Sequence, residues 1–172
     1  MADKKNDSGT ISEKREITIT RIIDAPRELV FKAWTDPDMM SKWWGPKPFT
    51  APVIKMDLRI GGKYHFCMRS PEGKDYWTTG VYKEINPPER LVCTDNFADE
   101  NGNIVPASAY GFDGEWPDVS IVTVAFEKID GNKTKMTLRH EGLPSGEHGD
   151  MAKEGWTTTL EKLDAILAEL KK

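Results

Sequence analysis

Residues 150–170, DMAKEGWTTTLEKLDAILAEL, repeat their large apolar side chains at the period of a helix. Trp156, Leu160, Leu163, Leu167 and Leu170 recur at steps of 4, 3, 4 and 3. That spacing predicts one long helix with a single apolar stripe. Burying five such side chains is worth roughly 10 kcal/mol gross. A stripe of this size needs a surface to cover it, and the rest of the chain has to supply that surface.

Upstream the period changes to two. Lys63–Arg69 alternates cleanly, with Tyr64, Phe66 and Met68 facing one way and Lys63, His65 and Arg69 the other. Ile17–Ile23, Val53–Leu58, Tyr76–Ile85, Leu91–Phe97, Val119–Lys128 and Thr134–His140 also read as strands. Turn residues separate them: Gly61-Gly62, Ser70 to Gly73, Asn86 to Glu89, and Asp130-Gly131. Two short helices are predicted after the first strand. One covers Pro26–Trp34 with Asp24 as its cap, and one covers Pro37–Trp44 with Asp36 as its cap and Gly45-Pro46 as its stop. The expected fold is α+β: a curved antiparallel sheet of six to seven strands wrapped around the long C-terminal helix. Residues 16–172 form one domain in this reading, and residues 1–15, polar and charged, form a mobile tail.

The net charge of −4 and the absence of any Lys/Arg-rich block argue against a nucleic-acid surface. No run of about 20 apolar residues exists to span a membrane, and the N-terminus has no hydrophobic region of the secretory type. Cys67 and Cys93 are not in a CxxC pair, so they read as reduced, buried thiols of a cytoplasmic protein. No three-ligand metal set is seen, because His65 has the outward parity and His148 lies in a loop. Asp99 to Asn103 imitates part of a calcium loop but places Ile104 and Tyr110 where such a loop needs Gly and Glu. No metal or cofactor is expected.

The order of elements resembles the helix-grip fold of the SRPBCC, or START / Bet v 1-like, superfamily. Within it the chain resembles the domain named for the activator of heat shock protein 90 ATPase. The carrying residues are Asp24-Ala-Pro26 with Val30 and Trp34, then Asp36-Pro37 through Trp43-Trp44-Gly45. Asp57 to Gly62, Gly80, and Pro87 to Leu91 come next. Val122, Val124, Phe126, Thr137 to His140 and Gly155-Trp156 with the leucine stripe complete the set. The resemblance implies a hydrophobic cavity between the sheet and the long helix. It also implies a range of activities: lipid and polyketide binding, hormone reception, cyclisation and co-chaperone work. The full co-chaperone has a separate N-terminal domain, whereas only a short tail is expected before the first strand here.

Strand parity and that fold nominate the residues of a ligand site. Tyr64, Phe66 and Met68 are inward candidates from one strand, Val122 and Val124 from another, and Met136 and Leu138 from the last. Trp77 and Phe97 come from less regular strands, Trp156 from the long helix, and Tyr110 from the long connection Ala98–Asp118. That connection, with Phe112 and Trp116, reads as a lid. Trp43 and Trp44 are about 100° apart on a helix, so one is expected to plug the core and the other to line or rim the cavity. His140 shares the inward parity and is the candidate polar group, to orient a ligand or act as a general base. The primary expectation is a binding module for a small hydrophobic or amphipathic molecule, as a monomer or homodimer. The alternatives are an enzyme of cyclase, dehydratase or hydrolase type using His140 with a tyrosine, and a chaperone-activating or stress-response interaction domain.

Overall fold

The β-branched and aromatic runs pair into one curved antiparallel sheet in the computed structural model, which describes residues 14–112, 120–144 and 147–170. The strands are β1 (Lys14–Ile23), β2 (Thr50–Met56), β3 (Lys63–Arg69), β4 (Asp75–Asn86), β5 (Arg90–Ala98), β6 (Ser120–Ile129) and β7 (Lys133–Pro144). Their order is β1-β7-β6-β5-β4-β3-β2. Hairpins join β2 through β5, and the first strand returns to close beside the last. Irregular register in β1, β2 and β4 bends the ladder, as bulges do. Gly80 permits a close approach within it: a Cβ there would sit 1.9 Å from the Thr94 carbonyl oxygen and 2.4 Å from the Tyr64 ring.

Two short helices follow β1: α1 (Arg27–Thr35) and α2 (Pro37–Met40). At α1 the cap expectation is corrected. Pro26 holds the N-cap position and no side chain caps the helix start; Asp24 lies too far upstream to serve. Asp36 does cap α2, accepting from the backbone N–H groups of Asp38 at 2.9 Å and Met39 at 3.2 Å. That helix is shorter than predicted. It ends at Met40 and continues as turns through Trp44, whose N–H donates to the Met40 carbonyl.

The long helix α3 spans Glu147–Leu170. Leu160, Leu163 and Leu167 are buried in one cluster with Val30 and Trp34 of α1 and with Val124, Phe126, Met136 and Leu138 of the sheet. Leu170, predicted to continue the stripe, is instead exposed on the last turn of the described helix. An ion pair from Arg21 to Asp164 fixes β1 to α3. Between β5 and β6 the chain forms a bridge from Ala98 to Ile104 and a short 3-10 helix, Ala107–Tyr110. Trp116, assigned to the lid, and residues 1–13 of the expected tail lie outside the described residues. Cys67 and Cys93 are free, and no described helix is long and apolar enough to cross a membrane.

Candidate functional site

The two halves of α3 differ. The C-terminal half carries leucines into the core, whereas the N-terminal half turns Met151, Ala152, Gly155, Trp156 and Thr159 toward a cavity of about 800 Å³. The opposite wall comes from Met68 of β3, Tyr76 and Thr78 of β4, and Asp95, Asn96 and Phe97 of β5. His140 and Leu143 of β7, Trp44, Phe49 and the 104–112 segment complete it. Ile104 and Met151 are exposed at its rim.

The adjacent tryptophans divide as their angular spacing requires. Trp43 is fully buried and its indole N–H donates to the Ala33 carbonyl at 3.1 Å. Trp44 lines the cavity. Its ring lies 5.5 Å from that of Trp156 and 5.3 Å from that of Phe66. With Trp34, whose ring is stacked 6.2 Å from Trp156, these rings separate the cavity from a deeper crevice of about 30 Å³. Tyr64, Phe66, Val122 and Val124 line that crevice and not the cavity.

The remaining nominated residues are also placed. Met68, Phe97, His140 and Trp156 line the cavity with Trp44. Met136 and Leu138 are fully buried core. Trp77 lies on the other face of the sheet, stacked on His65 with centroids 4.5 Å apart, because it pairs in register with Cys67. Tyr110 braces the wall from behind: its hydroxyl donates to the Ala98 carbonyl and accepts from the Trp77 N–H. The turn that imitates a calcium loop is closed by its own Asp99, whose Oδ1 accepts the N–H groups of Asn101 and Asn103 at 2.9 Å. Those bonds hold the Asp99 carboxyl below its usual range.

A polar chain crosses the cavity floor. The Trp156 indole N–H donates to His140 Nδ1 at 2.9 Å. Indole N–H is only a donor, so Nδ1 carries no proton and Nε2 does. Nε2 donates to Ser120 Oγ at 3.1 Å, and Ser120 donates onward to the Asp95 backbone carbonyl at 2.7 Å. His140 is therefore neutral. Burial holds its pKa below the ordinary 6.5, against the opposing pull of Asp95.

Asp95 was not singled out by its sequence, although Leu91, Cys93, Asp95 and Phe97 share a parity. Its Oδ1 is 2.6 Å from the Tyr64 hydroxyl, which is also 2.9 Å from the Thr94 carbonyl. One phenolic proton cannot serve both oxygens fully. The Tyr64 hydroxyl donates to Asp95 Oδ1 in the shorter contact and also lies within reach of the Thr94 carbonyl. Burial raises the Asp95 pKa, opposed by His140 and by the Tyr64 hydrogen bond. The other oxygen, Oδ2, is 3.7 Å from His140 Nε2.

A clasp holds one side of the mouth. Lys162 Nζ donates to the carbonyls of Gly45 at 2.9 Å, Phe49 at 3.0 Å and Trp44 at 3.3 Å. This ties the 44–49 segment to α3.

A family model described as Activator of Hsp90 ATPase homolog 1-like protein matches residues 24–168, nearly the whole described fold. The chain belongs to this family. The family lies within the SRPBCC, Bet v 1-like superfamily. Solved structures agree. A protein from Arthrobacter aurescens is 28% identical, with 95% of this chain and 90% of that chain covered and a TM-score of 0.74. A Chromobacterium violaceum protein is 27% identical, with 88% and 96% covered and a TM-score of 0.74. The AHSA1 protein from Silicibacter pomeroyi is 25% identical, with 92% and 100% covered and a TM-score of 0.73. No curated protein matches the chain. Membership of the Activator of Hsp90 ATPase homolog 1-like family supports a ligand-binding type of domain.

Proposed function

We propose that the protein binds a small hydrophobic or amphipathic molecule in the cavity between the sheet and the N-terminal half of α3. The observation that carries this is the cavity itself. Its volume of about 800 Å³ lies in the range of small-molecule sites, roughly 300–1,000 Å³, which are mostly apolar with a few placed polar groups. Trp44, Phe49, Tyr76, Phe97 and Trp156 give flat apolar walls, and Asp95, Ser120 and His140 give the polar end. The Trp44 and Trp156 rings make occupancy readable.

The enzyme alternative is weaker. A general base needs a free lone pair facing the substrate, and the only lone pair on neutral His140 is taken by the Trp156 indole. Activation of a chaperone ATPase, which the family's description names, has no specific residue here to favour it. Native mass spectrometry of the purified protein tests the proposal, paired with tryptophan fluorescence titration. A retained small molecule whose removal changes the fluorescence supports it. It fails if no molecule is retained and no hydrophobic probe changes the emission of wild type differently from a Gly155→Phe variant, in which the cavity is plugged.

A further inference from the structure

The charge inside the cavity narrows the class of ligand, an inference resting on the binding role just proposed. Its described lining contains a single ionisable carboxyl, Asp95, and no Lys or Arg. Asp95 is open to the cavity, with 24% of its side chain accessible. The nearby ammonium groups are already committed. Lys162, which is not a lining residue, is held by the backbone carbonyls of Trp44, Gly45 and Phe49. Lys74 rests on the Tyr76 ring, 5.1 Å from its centroid. A carboxylate or phosphate ligand would enter a site with no cation to meet it, next to a carboxyl that would repel it.

An organic ammonium finds the opposite. Aromatic faces attract cations, and Trp44, Tyr76, Phe97, Phe112 and Trp156 all line the cavity around the carboxyl. Asp95 Oδ1 is held by Tyr64, while among the described residues Oδ2 has only the longer 3.7 Å approach of His140 Nε2. We infer that the cavity is built for a hydrophobic amine, whose ammonium pairs with Asp95 Oδ2 while its apolar body lies among the rings.

The groups facing Asp95 suit that pairing. Among the described residues they are Tyr64 from β3, Cys93 on its own strand and neutral His140 from β7, with Trp156 of α3 bonded to His140. An ammonium beside Oδ2 favours the ionised form of a carboxyl that burial holds above 3.8, and the Tyr64 hydroxyl, which donates to Oδ1, supports that carboxylate. Affinity for an amine therefore rises with pH up to the point where the amine itself deprotonates.

Three probes of one shape test this on the full chain: phenylbutylamine, phenylbutanol and phenylbutanoate, titrated at neutral pH and low salt against tryptophan fluorescence. The amine is expected to bind tightest and the acid weakest. Asp95→Asn is expected to cut amine affinity about 10- to 100-fold, the worth of a hydrogen bond to a charged group, and to change affinity for the alcohol far less. If the alcohol or the acid binds wild type as tightly as the amine, and Gly155→Phe abolishes that binding, the cavity still takes a ligand and the charge inference is overturned. If none of the three binds, the inference and the binding role fall together.

Discussion

Replacing Gly80 by Ala should unseat the polar floor from below. In register Gly80 pairs with Tyr64, and the Tyr64 ring crosses it to reach Thr94 and Asp95. A Cβ at position 80 would lie 1.9 Å from the Thr94 carbonyl oxygen, 2.8 Å from the Thr94 carbonyl carbon and 2.4 Å from the Tyr64 ring. Two of these atoms are backbone of the paired strand β5 and cannot rotate away. Either β4 and β5 part locally or Tyr64 leaves its place. Overpacking of this kind costs about 1–3 kcal/mol. Losing the Tyr64 partner of a buried carboxyl or carbonyl costs about 1–3 kcal/mol more. The total, about 2–6 kcal/mol, should lower the melting temperature by at least ~4 °C in a chain of this length. Urea unfolding followed by circular dichroism measures it, with Gly155→Ala as the control. Gly155 has nothing within 4 Å of an added Cβ, so alanine there should stabilise the helix by up to about 1 kcal/mol. A Gly80→Ala loss under ~1 kcal/mol would refute the claim that Tyr64 is held by the absence of a side chain beneath it.

Further outcomes follow from the same geometry. Gly155→Phe should leave the fold intact and raise its stability while weakening any ligand that binds wild type, as read by fluorescence titration. Lys162→Met strands three carbonyls on the 44–49 segment and should destabilise by about 1–3 kcal/mol, with faster amide hydrogen exchange confined to that segment. His140, held below 6.5 in the folded chain, refuses a proton that the unfolded chain accepts. Its contribution is full above 6.5 and is lost as pH falls from there toward the folded value. The urea midpoint of wild type should drop across that window, and His140→Gln should flatten it. Asp95, held above 3.8 by burial, has the opposite sign. The folded chain keeps a proton that the unfolded chain releases, so stability is lost as pH rises from 3.8 through the folded value, and Asp95→Asn should remove that loss.

Much of this architecture was legible because period and size act locally. β3 was read to its ends, since Tyr64, Phe66 and Met68 alternate with charged or polar neighbours. The leucines of α3 are legible because Trp156, Leu160, Leu163 and Leu167 keep large apolar side chains at steps of four and three over three turns. Trp77 misled because a large apolar residue on a strand suggests the inside. Here the outer face is also covered, by the 99–103 turn whose Asp99 carbonyl meets His65 Nε2 at 3.0 Å. Asp95 was passed over for the converse reason. An aspartate between strand residues suggests solvent, and only the approach of Tyr64 from β3 and His140 from β7 reveals why a carboxyl is tolerated inside. The Asp24 cap failed because Pro26 itself occupies the N-cap with an extended backbone, ψ 149°.

The position of the cavity is encoded by side-chain size along a single helix face. Leu160, Leu163 and Leu167 reach the sheet and leave no space. One to two turns earlier the same helix presents Ala152, Gly155 and Thr159 at steps of three and four. None of these side chains can span the distance that a leucine spans, and the helix is tied to β1 by the Arg21–Asp164 pair farther along. The gap therefore opens where the small residues begin. Trp156 stands between the two regimes. It is large enough to end the packed core against Trp34 and Trp44, and its N–H sets the tautomer of His140 on the cavity floor. The stripe that fastens the helix to the sheet thus also determines where the sheet is left uncovered, and which polar groups are exposed there.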